Sequence, residues 1–310
     1  MGTATFGSEI DRATSFAVLD AYVEGGGNFI DTAHIYAACV KDGWGASERT
    51  VGEWLKAHGA RDTFVIATKG GHPPMDNMAN GRCDRAALEQ DLDDSLERLG
   101  IDCVDLYWLH RDDPARPVEE TLDTLAGFVR ARRIRAYGVS NWTPARIDAA
   151  RACAKAKGLP APAASQIGWA LADHPTRYAE VSPMVYMDDA FFRWHVTSQL
   201  PLAAYSAQAT GYFGETNAAW ALGGFHGPAP HGKGFDSPHS RKRLLAAISL
   251  ARQKGCTPTQ IALAYLLHQP FHVSPIASSS HPERIRDALE ATAVSLMPDE
   301  VASLAAGLQH

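Results

Sequence analysis

Residues 104–110 read VDLYWLH, an apolar run that closes on an ionisable residue, His110. Residues 64–69 read FVIATK and close in the same way on Lys69. Short, continuous apolar runs of this kind are typical of strands buried on both faces, as in a parallel sheet. Packing alone poorly explains a polar residue at the end of such a run. In parallel α/β barrels the C-terminal strand ends carry the chemistry, so both residues are candidate site residues.

A third strand-like stretch, NFIDT at residues 28–32, brings Asp31 to the end of an apolar run, and Tyr36 follows five residues later. Together with Lys69 and His110, these residues form a set suited to proton transfer. The tyrosine would be the acid, and the lysine would lower its pKa. The aspartate would hold the lysine, and the histidine would be a neutral hydrogen-bond donor. The sequence therefore predicts these four as the catalytic residues.

Strand-like and helix-like segments alternate along the whole chain. The predicted strands are residues 2–5, 28–31, 64–68, 104–109, 134–139, 163–167, 202–205 and 273–277. The predicted helices are residues 14–24, 47–58, 84–99, 117–132, 144–158, 188–199, 240–254, 257–268 and 282–291. This alternation indicates parallel strands joined by right-handed crossovers. Eight such units predict an α/β fold of the (β/α)8 TIM barrel class.

Three local signals are predicted to fix helix ends. Ser47 is expected to cap the N-terminus of the second helix. Thr143, followed by Pro144, is expected to open the fifth helix. Gly100 occupies the position that follows the third helix, where glycine is favoured.

No linker or repeat divides the chain, so residues 1–310 are predicted to form one barrel domain. A bare barrel needs roughly 250 residues, which leaves room for long loops near residues 169–187 and 208–238. Loops of that length within a compact domain are usually functional. Residues 2–5 lie at the start of the chain, where fraying is expected. With nothing before them, the bottom of the barrel is expected to be open, or covered by another chain or by the residues after 297.

Composition narrows the classes of function. A net charge of −6 without a basic block disfavours a nucleic-acid partner. No apolar run approaches the ~18 residues of a membrane span, and no signal peptide is recognised, so no membrane partner is expected. The five cysteines include no CxxC pair, which favours free thiols and a cytoplasmic location. No metal site is predicted, and composition leaves the oligomeric state open.

A series of motifs, in order, resembles the aldo-keto reductase family. GNFIDTAHIY at residues 27–36 resembles the family's signature around its catalytic aspartate and tyrosine. The other motifs are ASERTVG at 46–52, IATK at 66–69, DLYWLH at 105–110, YGVSNW at 137–142, SQ at 165–166 and AYS at 204–206. The resemblance covers nearly the whole chain. It implies an NADPH-dependent carbonyl reductase on a (β/α)8 barrel.

The resemblance also assigns roles to residues. It implies that Tyr36 protonates the oxygen of a small carbonyl substrate, that Lys69 and Asp31 lower the pKa of Tyr36, and that His110 orients the substrate oxygen. It further implies cofactor contacts along the chain. These are Ser140, Asn141 and Gln166 with the nicotinamide carboxamide, Tyr205 stacked on its ring, Ser206 near the pyrophosphate, and Thr3 and Asp31 near the nicotinamide ribose.

The chain departs from the family pattern in two places. The β-hairpin that usually precedes the first strand is missing. Residues 278–288, SSSHPERIRDA, correspond to the motif that binds the adenosine phosphate. This motif keeps Ser278 but lacks the Lys or Arg near Ser278 or Ser280, and the Asn near Ala288, that many members carry. Arg284 is therefore the predicted partner of a 2′-phosphate, and NADP(H) is the favoured cofactor, with NAD(H) as the alternative.

Other functions remain open from the sequence. Potassium-channel β-subunits in this family are cofactor-binding regulatory proteins, and such relatives can keep the same four residues. A metal-dependent barrel isomerase or hydrolase is a second alternative, disfavoured because no HxH or HExxH pair is present. A defective product of a late start codon is a third. Turnover of an aldehyde with NADPH separates an enzyme from a regulatory subunit.

Overall fold

The structure is a computed structural model that describes residues 1–59, 61–174 and 184–306. The chain forms two compact units. Unit 1 contains Met1–Gln166 and Ser278–Pro282. Unit 2 contains Ile167–Ala277 and Glu283–His310, apart from the residues outside the described ranges. The predicted single-domain organisation stays a prediction.

The strands of the described residues lie at or near the predicted positions. They are β1 Phe29–Asp31, β2 Val65–Gly70, β3 Val104–Leu109, β4 Ile134–Ser140, β5 Ser165–Gly168, β6 Leu202–Tyr205 and β7 Val273–Pro275. In unit 1, each strand from β1 to β4 pairs in parallel with the next strand along the chain. In unit 2, β6 and β7 also pair in parallel. Parallel neighbours align their C-terminal ends along one edge of the sheet.

Helices separate the strands as the alternation predicts. They are α1 Arg12–Glu24, α2 Ala46–His58, α3 Arg85–Leu99, α4 Val118–Arg130, α5 Pro144–Lys157, α6 Asp189–Ser198, α7 Glu215–Leu222, α8 Pro238–Lys254, α9 Pro258–Leu267, α10 Pro282–Glu290 and α11 Pro298–Ala306. The helix α7 lies within the predicted long loop 208–238, and α11 was not predicted. Part of the other predicted loop, residues 175–183, lies outside the described residues. No helix among the described residues has the length and apolar character needed to cross a bilayer.

The segment predicted as a first strand, residues 2–5, forms a single parallel bridge between Gly2 and Asp31. The Asp31 amide donates to the Met1 carbonyl at 2.8 Å, and the Thr3 amide donates to the Asp31 carbonyl at 3.1 Å. The side chains of Met1 and Thr3 are buried. The expectation that this segment frays is therefore wrong, because β1 supplies hydrogen bonds and cover for it.

Two of the three predicted helix ends are confirmed. The Thr143 hydroxyl accepts a hydrogen bond from the Arg146 amide at the start of α5, and Gly100 ends α3 in the left-handed conformation, with a φ of 64°. The cap predicted at Ser47 is wrong. Its hydroxyl is buried and donates to the Thr3 carbonyl at 2.6 Å, and α2 begins one residue earlier, at Ala46.

Large aromatic side chains fill the core of unit 1. Tyr107, Trp108 and Tyr137 from β3 and β4 are almost completely buried. Gly138 makes room for the indole of Trp108, because a Cβ atom there would lie 2.3 Å from that ring. This packing fixes β3 against β4, and so fixes the backbone that carries His110 just beyond β3.

Candidate active site

The ends of β1 and β2 bring together three of the four predicted catalytic residues. The Lys69 ammonium donates to Asp31 Oδ2 at 2.5 Å, to the Thr32 carbonyl at 2.7 Å and to the Tyr36 hydroxyl at 2.9 Å. An ammonium has three donors, so all of them are used. Both Lys69 and Asp31 are only 1% exposed. The lysine is therefore held rigidly, with one donor aimed at the phenol.

The electrostatics keep Lys69 charged in this buried place. Burial is the largest single influence and acts to lower the pKa of Lys69, because desolvation disfavours the ammonium. The nearby Asp31 carboxylate and the Tyr36 hydroxyl outweigh it, and the net pKa of Lys69 is raised. A buried cation of this kind needs such a partner.

The pKa of Tyr36 is shifted in the direction opposite to the sequence prediction. Burial raises the pKa of Tyr36 above its ordinary value of 10.0, and the charge of Lys69 lowers it by less. The prediction that Lys69 and Asp31 lower the pKa of Tyr36 holds for the effect of Lys69 alone. It is wrong for Asp31, whose negative charge raises that pKa, and for the net direction. Desolvation of the phenolate is the stronger effect in this site. Tyr36 is therefore a protonated phenol at neutral pH.

His110, the fourth predicted residue, lies beside Tyr36, with ring centroids 5.9 Å apart. Its amide donates to the Gly70 carbonyl at 2.8 Å, which fixes it relative to the end of β2. Burial, followed by the charge of Arg111, lowers the pKa of His110 well below 6.5. The imidazole is therefore neutral, as predicted. Its Nδ1 atom is buried without a hydrogen-bond partner among the described residues.

A second histidine, His72, was missed by the sequence analysis. Its ring lies against that of His110, with centroids 4.8 Å apart, and the residue is 7% exposed. Burial, followed by the charge of Arg111, lowers the pKa of His72 to about 4. The sequence feature that could have identified it is its position three residues after Lys69, in the loop that follows β2.

Three of the predicted cofactor residues lie beside the catalytic set in unit 1. Gln166, on β5, donates from Nε2 to Asp31 Oδ1 at 3.1 Å. Asn141 follows β4 in the left-handed conformation, with a φ of 61°. Its side-chain Nδ2 donates to the His110 carbonyl at 3.3 Å and to the Ser140 hydroxyl at 3.0 Å. All three side chains are buried. The ends of β4 and β5 are thus tied to both Asp31 and His110.

Thr3 and Ser278, the remaining predicted cofactor residues of unit 1, have different surroundings. The Thr3 hydroxyl is fully buried and donates to the Asp31 carbonyl at 3.1 Å. Ser278 is exposed. Thr3 therefore supports the backbone of the aspartate.

Unit 2 contains the other three predicted cofactor residues. Tyr205 ends β6, and its hydroxyl donates to the Val185 carbonyl at 3.3 Å. Ser206 follows it in the left-handed conformation, with a φ of 56°. Arg284 is exposed in the first turn of α10, where backbone amides favour anions. Among the described residues, no group of His, Cys, Asp or Glu side chains is placed to hold a metal ion.

A sequence model described as the aldo/keto reductase family matches residues 1–308, almost the entire chain. The chain belongs to the aldo/keto reductase family. The predicted resemblance is confirmed, and the protein is placed among the oxidoreductases. The four predicted catalytic residues lie in motifs that carried the resemblance in the sequence.

Curated relatives agree with this assignment. Protein tas of Escherichia coli is 29% identical over 332 residues, covering 99% of this chain and 92% of that protein. Norsolorinic acid reductase A of Aspergillus parasiticus is 29% identical over 315 residues, covering 97% of this chain and 75% of that protein. Both alignments cover nearly all of this chain.

The fold matches solved structures of the same family. An aldo-keto reductase from Klebsiella pneumoniae, in complex with NADPH, has a TM-score of 0.70 and 25% identity, covering 98% of this chain and 88% of that one. In the part of this chain that the structure describes, the paired strands are parallel neighbours along the chain and alternate with helices. The predicted (β/α)8 barrel class is confirmed.

The five cysteines are free thiols, as predicted.

Proposed function

We propose that this aldo/keto reductase uses a reduced nicotinamide cofactor to convert a small aldehyde or ketone to an alcohol, with Tyr36 as the general acid. The observation that carries the proposal is the position of the Lys69 ammonium. It lies 2.9 Å from the Tyr36 hydroxyl and 2.5 Å from the Asp31 carboxylate. A proton donor next to a fixed positive charge suits reduction of a carbonyl, because the donor must lose its proton to the developing alkoxide.

The protein's own residues divide the work on the substrate. The raised pKa keeps the Tyr36 hydroxyl protonated until the carbonyl oxygen gains negative charge. As the proton leaves, the Lys69 ammonium stabilises the phenolate that forms. Neutral His110 donates to the same oxygen and orients it. Asp31 keeps Lys69 charged and in place throughout the reaction.

The residues present fit a nicotinamide cofactor. With Nε2 of Gln166 bound to Asp31, its amide oxygen is the atom available to a carboxamide NH2 group. Arg284, exposed at the start of α10, suits a 2′-phosphate, which favours NADP(H) with NAD(H) as the alternative. The NADPH complex of the Klebsiella pneumoniae relative supports this choice. When bound, the nicotinamide supplies the hydride that the carbonyl carbon receives.

We further propose that the partner is a small carbonyl compound, that the protein binds neither nucleic acid nor a membrane, and that it is located in the cytoplasm. Net charge and the five free thiols support these choices.

The direct test is to measure oxidation of NADPH and NADH, by absorbance, with a panel of aldehydes and ketones. We expect turnover with NADPH, unchanged by a chelator. The Tyr36→Phe variant is the matched control, because it keeps the ring and loses the acid. Tight NADPH binding with no turnover of any carbonyl would contradict the enzyme and favour the regulatory subunit. Activity that a chelator abolishes would favour a metal-dependent enzyme.

A further inference from the structure

The short segment between β1 and Tyr36 must place the phenol against a lysine that is already fixed. Lys69 is held by Asp31 and by the Thr32 carbonyl. The distance of 2.9 Å from its ammonium to the Tyr36 hydroxyl therefore depends on the path of this segment. Three residues separate Thr32 from Tyr36, and His34 is the one among them with a polar side chain. The proposed mechanism gives His34 no role.

The side chain of His34 is buried and hydrogen-bonded to α3. The residue is 4% exposed, and its Nε2 lies 3.0 Å from Asp94 Oδ2. Burial acts to raise the pKa of Asp94, but the hydrogen bonds that it accepts from His34 and Gln90 outweigh burial, and the net pKa is lowered. Asp94 is therefore a carboxylate at neutral pH. Because a carboxylate can only accept, Nε2 of His34 is the donor.

The face of α3 that meets His34 holds the loops that follow β1 and β2. Asp91, Asp94 and Arg98 are spaced i, i+3 and i+7 along α3, so they lie on one side of the helix. Arg98 donates to the His34 carbonyl at 3.4 Å. Asp91 accepts a hydrogen bond from the Gly71 amide at 2.8 Å. The helix therefore holds His34 by both its side chain and its backbone.

Arg98 is itself tied to the strand that supplies Lys69. Glu48 is fully buried; it accepts a hydrogen bond from Arg98 at 3.2 Å and another from the Thr68 hydroxyl at 2.6 Å. Thr68 precedes Lys69 on β2. The contacts that hold His34 are thus fixed relative to the lysine that the phenol has to meet.

We propose that His34 is a positioning residue for Tyr36. Its hydrogen bond to Asp94 sets the path of the segment after β1 and keeps the phenol within hydrogen-bond distance of Lys69. The inference rests on the proposed function and adds to it the residue that orients the proton donor. Because a misplacement of about 1 Å can lower a rate by about 10², loss of His34 should affect the chemical step far more than binding.

The test is steady-state kinetics on variants of the His34–Asp94 pair. His34→Leu removes the donor, so we expect kcat to fall by roughly 10- to 100-fold, with KM for the aldehyde and the NADPH dissociation constant nearly unchanged. Asp94→Ala removes the acceptor and should give a similar fall. His34→Gln can donate to Asp94 from a similar position and should restore most of the rate. An unchanged kcat in His34→Leu and Asp94→Ala, or a His34→Gln variant as slow as His34→Leu, would overturn the inference.

His58→Leu is the matched control, because it breaks another histidine–aspartate pair of unit 1. His58 Nε2 lies 3.0 Å from Asp20 Oδ1, at the C-terminal end of α2. We expect kcat of this variant to stay at the unmodified value, whatever its melting temperature. A fall in kcat as large as that of His34→Leu would mean that loss of any such pair slows the protein, which would contradict a specific role for His34.

Combination with Tyr36→Phe separates positioning from general damage to the site. Without the phenol hydroxyl nothing is left for His34 to position, so the two effects should not add. We expect His34→Leu to leave the residual single-turnover rate of Tyr36→Phe unchanged. A further fall by the factor seen with Tyr36 present would show that His34 acts on another part of the site, and the inference would be wrong.

These measurements distinguish failure of the inference from failure of the proposed function. If Tyr36→Phe loses activity as proposed while His34→Leu keeps the full rate, the role of His34 is wrong and the enzyme proposal stands. If the unmodified protein binds NADPH but reduces no carbonyl compound, the proposed function itself is wrong, and the role of His34 falls with it.

Discussion

Gln166 Nε2 donates a hydrogen bond to Asp31 Oδ1 at 3.1 Å, although the two residues are 135 positions apart in the sequence. The other carboxylate oxygen, Oδ2, binds the Lys69 ammonium. A single buried carboxylate therefore joins a predicted cofactor residue to the predicted proton-transfer set. Both of its oxygens are engaged, which fixes its orientation and, through it, that of the lysine.

Replacing Tyr36 by Phe should remove the proposed acid and little else. We expect kcat to fall by roughly 10²–10⁴-fold, the usual scale of general acid catalysis. NADPH affinity should barely change, because the hydroxyl's bond in the structure is to Lys69. Steady-state kinetics and fluorescence titration measure the two effects. A variant that keeps more than about a tenth of the unmodified rate would contradict the assignment.

Asp31→Ala should lower both activity and stability, because it leaves a buried ammonium without its counter-charge. Breaking a buried ion pair in this way costs on the order of 3–5 kcal/mol. Lys69→Met should abolish activity at a smaller cost in stability, because Asp31 keeps the hydrogen bond from Gln166. Thermal unfolding measures the difference. An unchanged melting temperature in Asp31→Ala would show that the pair does not stabilise the fold.

Arg284→Ala should weaken NADPH binding and leave NADH binding nearly unchanged. A hydrogen bond to a charged group contributes about 1.5–3 kcal/mol, so we expect the unmodified protein to prefer NADPH by ~10-fold or more. Arg286→Ala is the matched control, since it removes a neighbouring positive charge from the same helix. The measurement is the dissociation constant of each cofactor for the unmodified protein and for the two variants. Equal affinities in the unmodified protein would count against the assignment.

Stability should fall as the pH drops from about 6.5 to about 4. Burial lowers the pKa values of His72, His174 and His195 to about 4, and that of His110 well below 6.5. Below pH 6.5 the histidines of the unfolded chain bind protons, whereas these histidines stay neutral in the folded protein. Each of them therefore lowers the free energy of unfolding by about 1.4 kcal/mol per pH unit within this window. Chemical denaturation at a series of pH values measures the slope.

Two variants check the origin of that slope. His72→Phe removes one of the buried histidines. The slope of the free energy of unfolding against pH should therefore decrease by the contribution of about one proton. His226→Gln replaces an exposed histidine and serves as the control. A free energy of unfolding that stays constant from pH 7 to pH 5 would contradict the buried, neutral state of these residues.

Two buried tyrosines should respond in opposite ways to loss of the hydroxyl. The Tyr137 hydroxyl donates to the Pro160 carbonyl at 2.5 Å, so Tyr137→Phe should cost about 1 kcal/mol. The Tyr107 hydroxyl is buried without a hydrogen-bond partner among the described residues. Tyr107→Phe should therefore be neutral or stabilising. Equal losses of melting temperature in the two variants would contradict this difference.

The sequence by itself determined the fold class and predicted the members of the proton-transfer set, whose catalytic role stays a prediction. Both follow from local patterns: apolar runs with the period of buried strands, each ending on an ionisable residue. Because parallel strands align their C-terminal ends, residues far apart in the chain could be placed at one edge without coordinates. Helix ends with a side-chain or glycine signal, such as Thr143 and Gly100, could be predicted for the same reason. The role of Ser47 could not be predicted in this way, because its hydroxyl forms a hydrogen bond with Thr3, 44 residues away in the sequence.

Only the tertiary structure decided the electrostatics and the extra member of the site. The net direction of the Tyr36 pKa depends on how deeply the phenol is buried, and no local pattern gives that depth. The place of His72 beside His110 depends on how Asp91 of a later helix holds the loop after β2. The bond from Gln166 to Asp31 depends on side chains from strands far apart in the chain. Such long-range contacts leave no periodic trace in the sequence, because they are set by packing in three dimensions.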